Sequence, residues 1–511
     1  MEERLEIMRF VGIDVGTTHC KAGLFDASGK SIAMASGQTP YQDVGGGHVE
    51  IEPEELWQVV LETLREILPG NTGQSVTAIG ITSMAEAGFL MDKQTKQPRT
   101  RFIPWFDDRP RFSAHSLMGP FSPLERFQRS GLHPGSKWSL PKILWLRSLE
   151  PGITEGAVWI GAGDYIAYRL TGKIATDYTL ATRTYCFRLD TRNWDEKLLG
   201  SFDLDPSLFP SAYPSGQPLG FTLEGENWGL NLSPRATVCV SGHDHPCAAL
   251  AVGATRPGVV YDSMGTAETL MGTLTDALLS EKDYDSGFSY GCHVLPDRLY
   301  WMGALSSSGG SIEWLRSIMG EEPLSYQRID ELLSESGPEP SGIIYLPYLA
   351  GSGAPWPDVT VQGAFVGLLR RHNRGHLLKA VLEGTAYEIE AIRQTAEAIV
   401  GSAIDQIIAV GGGTRNKHWL QIKADVSGCE YIVPPVAEAT LLGAALVAAL
   451  GCGALEEEQI VDLAKVQNEL GTKVSPYLQR HVSYEYWYEK AFLALQEPLR
   501  SYYNAVVDER G

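Results

Sequence analysis

The sequence predicts an α/β protein of two duplicated domains facing each other across a cleft. Three observations carry that prediction: a length of 511 residues, strands that alternate with helices, and two hairpins with matching tips. At about 100 to 200 residues per domain the length argues for at least two, each able to bury its own core. Alternation of strand and helix is the pattern of a sheet covered by helices. The matching hairpins argue that one unit occurs twice.

The first hairpin lies in FVGIDVGTTHCKAGLFDASGK, residues 10–30. An apolar run over 10–13 leads into Asp14-Val15-Gly16-Thr17-Thr18, and a second run over 22–25 leads out to the turn signal Asp26-Ala27-Ser28-Gly29. A helix is expected over 52–68, where Pro53 takes a first-turn position, and another over 438–450 (EATLLGAALVAAL). Strands are expected over 78–82, 236–241, 342–346, 407–410 and 431–433. The bridge GATRPG at 253–258 is the expected boundary, giving domains over 1–253 and 254–511. Just past it, VVYDSMGTA at 259–267 and TLMGTL at 269–274 repeat the strand, Gly-Thr tip and return strand.

The two tips differ where chemistry would: Asp14 has Ser263 as its counterpart, so one loop alone carries an acid. Gly-Thr tips offer backbone N–H groups and hydroxyls to phosphate oxygens, and one carboxylate can hold Mg²⁺ through its waters. The alternative, two ordinary hairpins with small turn residues, is weakened by their pairing. VGGGTRNKHWLQIKADVSG at 410–428 reads as a strand ending in glycines, then a helix closed by Gly428. There Asn416 could hydrogen-bond a flat ring that the glycines let approach, although such turns are common in α/β proteins. In SGHDHPCAAL at 241–250, Asp244 stands at a strand end with Pro246 placed to start a helix. The positive helix terminus keeps such a carboxylate ionised, and open α/β folds bind ligands at this place. It could accept a proton from a sugar hydroxyl attacking phosphorus; a purely local helix-start role is the alternative. His243 and His245 are too crowded, without a third partner, to argue for a metal.

Composition excludes several classes. The formal net charge of −20 speaks against nucleic acid or an anionic membrane as partner. Seven scattered cysteines, never spaced C-x-x-C, suit reduced thiols rather than a disulfide frame or zinc site. Residues 1–10 (MEERLEIMRF) lack an apolar stretch of signal-peptide length, and no later segment offers about 20 uninterrupted apolar residues. The expectation is a soluble, cytoplasmic chain; a homodimer stays open.

These residues resemble the FGGY carbohydrate kinases, of the sugar kinase, Hsp70 and actin superfamily, over nearly the whole length. The stretches that carry the resemblance are GIDVGTT at 12–18, DYIAYRLTGKIATDYTLATRT at 164–184, GHDH at 242–245, SMGTAE at 263–268 and, most specific, GAFVGLLRRHNRGHLLKAVLEG at 363–384. The resemblance implies two actin-like, ribonuclease H-like ATPase domains with ATP and sugar in the cleft, the second domain ending in C-terminal helices. It implies Asp14 beneath the Mg²⁺·phosphate, Thr17, Thr18 and Lys21 in the first phosphate loop, and Thr266 in the second. It places Gly309, Gly310, Gly412 and Asn416 in the nucleotide pocket, and makes Asp244 the catalytic base with His245 beside the substrate. ITSMAEAG at 81–88 sits where glycerol kinases carry Arg-Glu and xylulokinases Met-His, so Ala85 marks a lost sugar contact and Glu86 a retained one. WFDDR at 105–109 resembles the family's W-x-D-x-R, putting Trp105 and Asp107 near the substrate; a structural turn with an internal ion pair is the alternative. His19 replaces a frequent Ser, and GSGAPWPD at 351–358 lacks the Arg of G-E-R-x-P. The implied activity is ATP-dependent phosphorylation of a hydroxyl of a small open-chain carbohydrate, a ketose such as a pentulose, or a polyol, with the sugar identity open. A non-enzymatic nucleotide switch on the same fold is the alternative; Glu86, Asp107 and Asp244, which a switch does not need, favour the kinase.

Overall fold

A computed structural model of the chain describes residues 8–68, 76–112, 115–223, 228–230, 236–275 and 278–508. Residues 1–7, which include most of the opening stretch, lie outside them. Two sheets organise the rest. The first contains β1 (Arg9–Val15), β2 (His19–Asp26), β3 (Ser31–Gln38), β4 (Val76–Ser83), β5 (Gly220–Phe221) and β6 (Thr237–His243), in the order β5-β6-β4-β1-β2-β3. The second contains β7 (Val259–Met264), β8 (Glu268–Thr275), β9 (Ser289–Cys292), β10 (Arg298–Leu305), β11 (Gln406–Val410), β12 (Glu430–Val433) and β13 (Thr472–Val474), in the order β9-β10-β8-β7-β11-β12-β13.

The sheets share one topology. In the first, β1, β2 and β3 form an antiparallel meander, β4 lies parallel to β1, β6 parallel to β4, and β5 closes the edge antiparallel. In the second, β7, β8 and β10 form the meander, β11 and β12 follow in parallel, and β13 closes the edge, with β9 added beyond β10. Both opening hairpins turn through three residues, 16–18 and 265–267, so Asp14 and Ser263 occupy equivalent positions.

Alternation along β1 decides what each sheet face meets. Val11, Ile13 and Val15 pack into one core with α1 (Pro53–Ile67) and α2 (Ala162–Thr171). At roughly 1.5–3 kcal/mol for each buried aliphatic side chain, this is the main stabilisation of the first sheet. Phe10, Gly12 and Asp14 point the other way. There α3 (Asp244–Ala251) and α7 (Ala439–Gly451) form a second core with Phe10, Phe25, Ala78 and Cys239. Between them in the chain come α4 (Gly309–Ile318), α5 (Arg374–Val400) and α6 (Lys417–Ser427), which belong with the second sheet.

Helix α7 rests on the first sheet although it follows β12 in the chain. Gly12 and Gly80 are register partners on β1 and β4, and they make the track on which the helix lies. A Cβ added at Gly12 would stand 2.0 Å from Leu441 O, and one at Gly80 2.0 Å from Ala444 O. Mid-strand glycine is the mark of such close backbone approach. All seven cysteines are free thiols, and among the described residues no helix is long and apolar enough to cross a membrane.

Candidate active site

The first hairpin tip is tight: Gly16 N–H donates to His19 O at 3.1 Å, and the Thr39 hydroxyl donates to Gly16 O at 2.9 Å. Asp14, on the last turn of β1 before this tip, is buried, and its Oδ1 has no hydrogen-bond partner among the described residues. Burial first, and then the charge of Asp244, push its carboxyl up to about 8, with Lys21 pulling the other way. Two acids within electrostatic reach of each other are an arrangement a cation would relieve.

Asp244 opens α3. β6 reaches it through a register irregularity at Gly242, whose φ of 118° and crowding against Thr179 and Asp177 require glycine. The Thr179 hydroxyl accepts from His243 N–H at 2.7 Å and is itself braced by Asp177. On Asp244, burial works to raise the pKa, but the His245 and His243 rings, with His243 Nε2 3.0 Å from Oδ1, hold the carboxyl well below the usual range. His245 N–H also donates to that oxygen at 2.7 Å. The group is therefore ionised at the positive end of a helix, as an acceptor of protons must be.

Glu86 is the first of the residues expected on the sugar side. Its φ of 64° is left-handed, and the loop is tied to the first hairpin by Met84 N–H donating to Val15 O at 3.0 Å. Arg183 places Nε at 2.8 Å and Nη2 at 2.6 Å from Glu86 Oε1. Burial opposes ionisation of Glu86, but Arg183, Lys137 and His243 overcome it and keep the carboxyl below its ordinary value. Trp105 is partly exposed, and its indole N–H donates to Thr17 Oγ1 at 2.9 Å, linking the 105–109 segment to the first hairpin tip. Asp107 gives both oxygens to Arg109, at 2.9–3.0 Å from Nε and 2.6 Å from Nη2, and Arg109 also reaches Glu50. Its carboxylate holds a turn rather than facing the cleft free.

The second tip lies between two other predicted elements. Gly309 N–H donates to Gly265 O at 3.1 Å and Gly310 N–H to Thr266 O at 2.9 Å, so these glycines bind the loop to the start of α4. A Cβ at Gly309 would meet Gly265 O at 2.5 Å. On the other side Gly411, at φ 95°, lies against Met264 O, while Gly412 faces open space. Asn416 Oδ1 accepts from His418 and Trp419 N–H, capping α6 and leaving its amide nitrogen for a ligand. Thr18 and Thr266 are exposed at their tips. Tyr261 brings the halves together: its ring is 6.0 Å from His245, and it feels the charges of Asp244, Asp262 and Asp14.

Three features escape sequence reasoning. The Lys21 ammonium is held by both oxygens of Glu438, at 2.8 and 3.0 Å, which ties the first hairpin to the start of α7. Beneath the second tip Lys423 of α6 bonds Glu268 and lies 3.6 Å from Asp262, all three fully buried, while the Ser308 hydroxyl donates to Glu268. One cluster therefore joins β7, β8, α4 and α6. Finally, Lys137 and Arg183 share the ring of Trp138, at 4.5 and 4.7 Å from its centroid. Arg183 lies within the motif at 164–184, so a signal existed; Lys137 and Lys423 lie in no local pattern.

Comparison with known proteins identifies the family. Residues 9–251 match the N-terminal domain, and 260–452 the C-terminal domain, of the FGGY family of carbohydrate kinases. The chain is 30% identical to a glycerol kinase from Gloeobacter violaceus over 87% of its length and 88% of that protein's. It is 27% identical to a xylulose kinase from Bacillus subtilis over 87% and 89%. The crystal structure of xylulose kinase from Rhodospirillum rubrum superposes with a TM-score of 0.84 at 25% identity, covering 97% of this chain and all of that one.

Proposed function

The chain belongs to the FGGY family of carbohydrate kinases, phosphotransferases that act from ATP on a sugar or polyol, and on that premise we propose that it phosphorylates a hydroxyl of a small open-chain carbohydrate with Asp244 as the base. Its fold is the two-domain, actin-like ATPase fold of that family. The substrate is of the size of a pentulose or a short polyol. A non-enzymatic nucleotide switch does not suit a member of a family of phosphotransferases.

The observation that carries the proposal is the ionised Asp244 carboxylate at the start of α3, in electrostatic reach of Asp14. Asp244 accepts the proton of the substrate hydroxyl as that oxygen bonds the γ-phosphorus and the bond to the β–γ bridging oxygen breaks, releasing ADP. Thr17 and Thr18 on one tip and Thr266 on the other present hydroxyls and backbone N–H groups to the phosphates. Gly412 and Asn416 face the base, and Gly309 and Gly310 hold the second tip in place. The unpartnered Oδ1 of Asp14 fits a Mg²⁺ ion, which when bound would neutralise phosphate charge. On the sugar side Trp105, His245 and Glu86 line the cleft, and Asp107 acts through Arg109 on the turn that carries Trp105. Lys21 sets the first loop by its pair with Glu438. We place the division between the domains at residue 253, with closure over both ligands excluding water.

Asp244→Asn tests the assignment. The variant should fold and bind ATP, yet lose about 10²- to 10⁴-fold in sugar-dependent ADP release. Turnover within a few-fold of the parent would remove Asp244 from the role of base.

A further inference from the structure

Resting on the sugar-kinase reading above, we infer that the preferred substrate is an open-chain sugar acid, whose carboxylate is held by the Lys137 ammonium with Arg183 as the second cation. The two cations are fixed on one platform. Trp138 is buried, and its indole N–H donates to His133 O at 2.7 Å, so the ring cannot turn away. Lys137 Nζ and the Arg183 guanidinium both lie over it. A third cation, Lys142, spends its ammonium on the carbonyls of Lys137 and Trp138 and so fixes the backbone from which Lys137 projects.

The charges around this platform do not balance. Glu86 is engaged by Arg183, and Asp107 by Arg109. Arg183 is buried between Glu86 and the Tyr300 hydroxyl, whereas Lys137 Nζ is exposed and has neither hydrogen bond nor ion pair among the described residues. Lys137 is exposed, yet desolvation of its ammonium and the charge of Arg183 draw it down to about 8, with Glu86 opposing. With Lys142 spent on backbone carbonyls, Lys137 and Arg183 beside the one acid Glu86 leave a surplus of positive charge in a chain whose net charge is −20. A neutral ketose or polyol offers hydroxyls there, which solvate an ammonium but leave the surplus. A carboxylate offers acceptor oxygens to the exposed Lys137 ammonium and a full negative charge to set against the buried Arg183 guanidinium behind it. The far hydroxyl of the same open chain would then extend toward His243, His245 and Asp244.

The test measures ADP release with five- and six-carbon aldonates, as sodium salts, against the corresponding alditols and against pentuloses. The parent protein should prefer an aldonate by at least about tenfold in kcat/KM. Lys137→Met should lower kcat/KM for that aldonate by about ten- to hundredfold, chiefly through KM, and change the alditol less than about threefold. Lys137→Arg should retain the aldonate preference, and since the position is exposed both variants should melt with the parent. A parent that prefers alditols or pentuloses, or a Lys137→Met loss equal for acid and alditol, overturns this inference and leaves the kinase standing. No stimulation by any of these sugars, with Asp244→Asn indistinguishable from the parent, would overturn the kinase reading as well.

Discussion

Removal of Glu86 is the perturbation whose size the structure allows to be worked out. The Glu86 side chain is 7% exposed and that of Arg183 3%, and two short N–H···O bonds converge on one carboxylate oxygen. Glu86→Ala leaves a buried guanidinium over Trp138 with Nε, Nη1 and Nη2 all unpaired by an acid, which should cost about 3–5 kcal/mol. Alanine keeps a Cβ at a φ of 64°, so no left-handed strain is relieved, whereas Glu86→Gly should recover about 1 kcal/mol. Arg183→Met in the Glu86→Ala background removes the stranded charge, so the double variant should be more stable than the summed single costs imply, by about 0.5–3 kcal/mol. Equilibrium urea unfolding of the four proteins at neutral pH measures this. Glu86 is held below its ordinary value of 4.5, so the pair's contribution is fully present above that pH. It fades as the pH falls through the folded-state value, and the gap between parent and Glu86→Ala should narrow below about 4.5. Glu86→Ala within about 1 kcal/mol of the parent at neutral pH, or strictly additive costs in the cycle, would refute the reasoning.

Two further outcomes concern the packing behind the site. Gly80→Ala puts a Cβ 2.0 Å from Ala444 O and 2.4 Å from Ser241 Oγ, so α7 must shift; a loss of about 1–3 kcal/mol or more in unfolding free energy is expected. An unchanged urea midpoint would show that the helix has slack against the sheet. Lys423→Met strands Glu268 and Asp262 in the core, and should cost about 3–5 kcal/mol and raise KM for ATP more than for the sugar. Burial, then Glu268, raises the Asp262 carboxyl well above 3.8, with Lys423 opposing, so an amide at this place costs less than the loss of the ammonium and Asp262→Asn should destabilise less than Lys423→Met. Equal losses in thermal melts of the two variants would contradict that ordering.

What was legible in the sequence is what short-range chemistry sets. The two Gly-Thr hairpins follow from alternating apolar residues and a small-residue turn, and each strand emerges within three residues of its expected place. Pro53 starts α1 and Gly428, at φ 69°, ends α6, because a proline at N1 and a left-handed C-terminal residue act on their own neighbours. Asp244 at the junction of β6 and α3 was legible for the same reason. The internal pair of Asp107 with Arg109, two residues away, was readable as one of two alternatives.

Everything that depends on a partner far along the chain was decided by tertiary structure. Lys21 reads as a phosphate-loop cation until Glu438, 417 residues later, arrives beside it. Gly309 and Gly310 read as nucleotide-pocket residues, and only the fold shows their amides occupied by the carbonyls of Gly265 and Thr266. Gly12 and Gly80 carry no local instruction about α7, and Lys423 no hint of Glu268, 155 residues before it. Local periodicity specifies which face of an element is apolar and how it ends. Which distant charge or backbone will fill that face depends on how the elements are brought together in space, and that geometry brings Arg183 and Lys137 to Glu86.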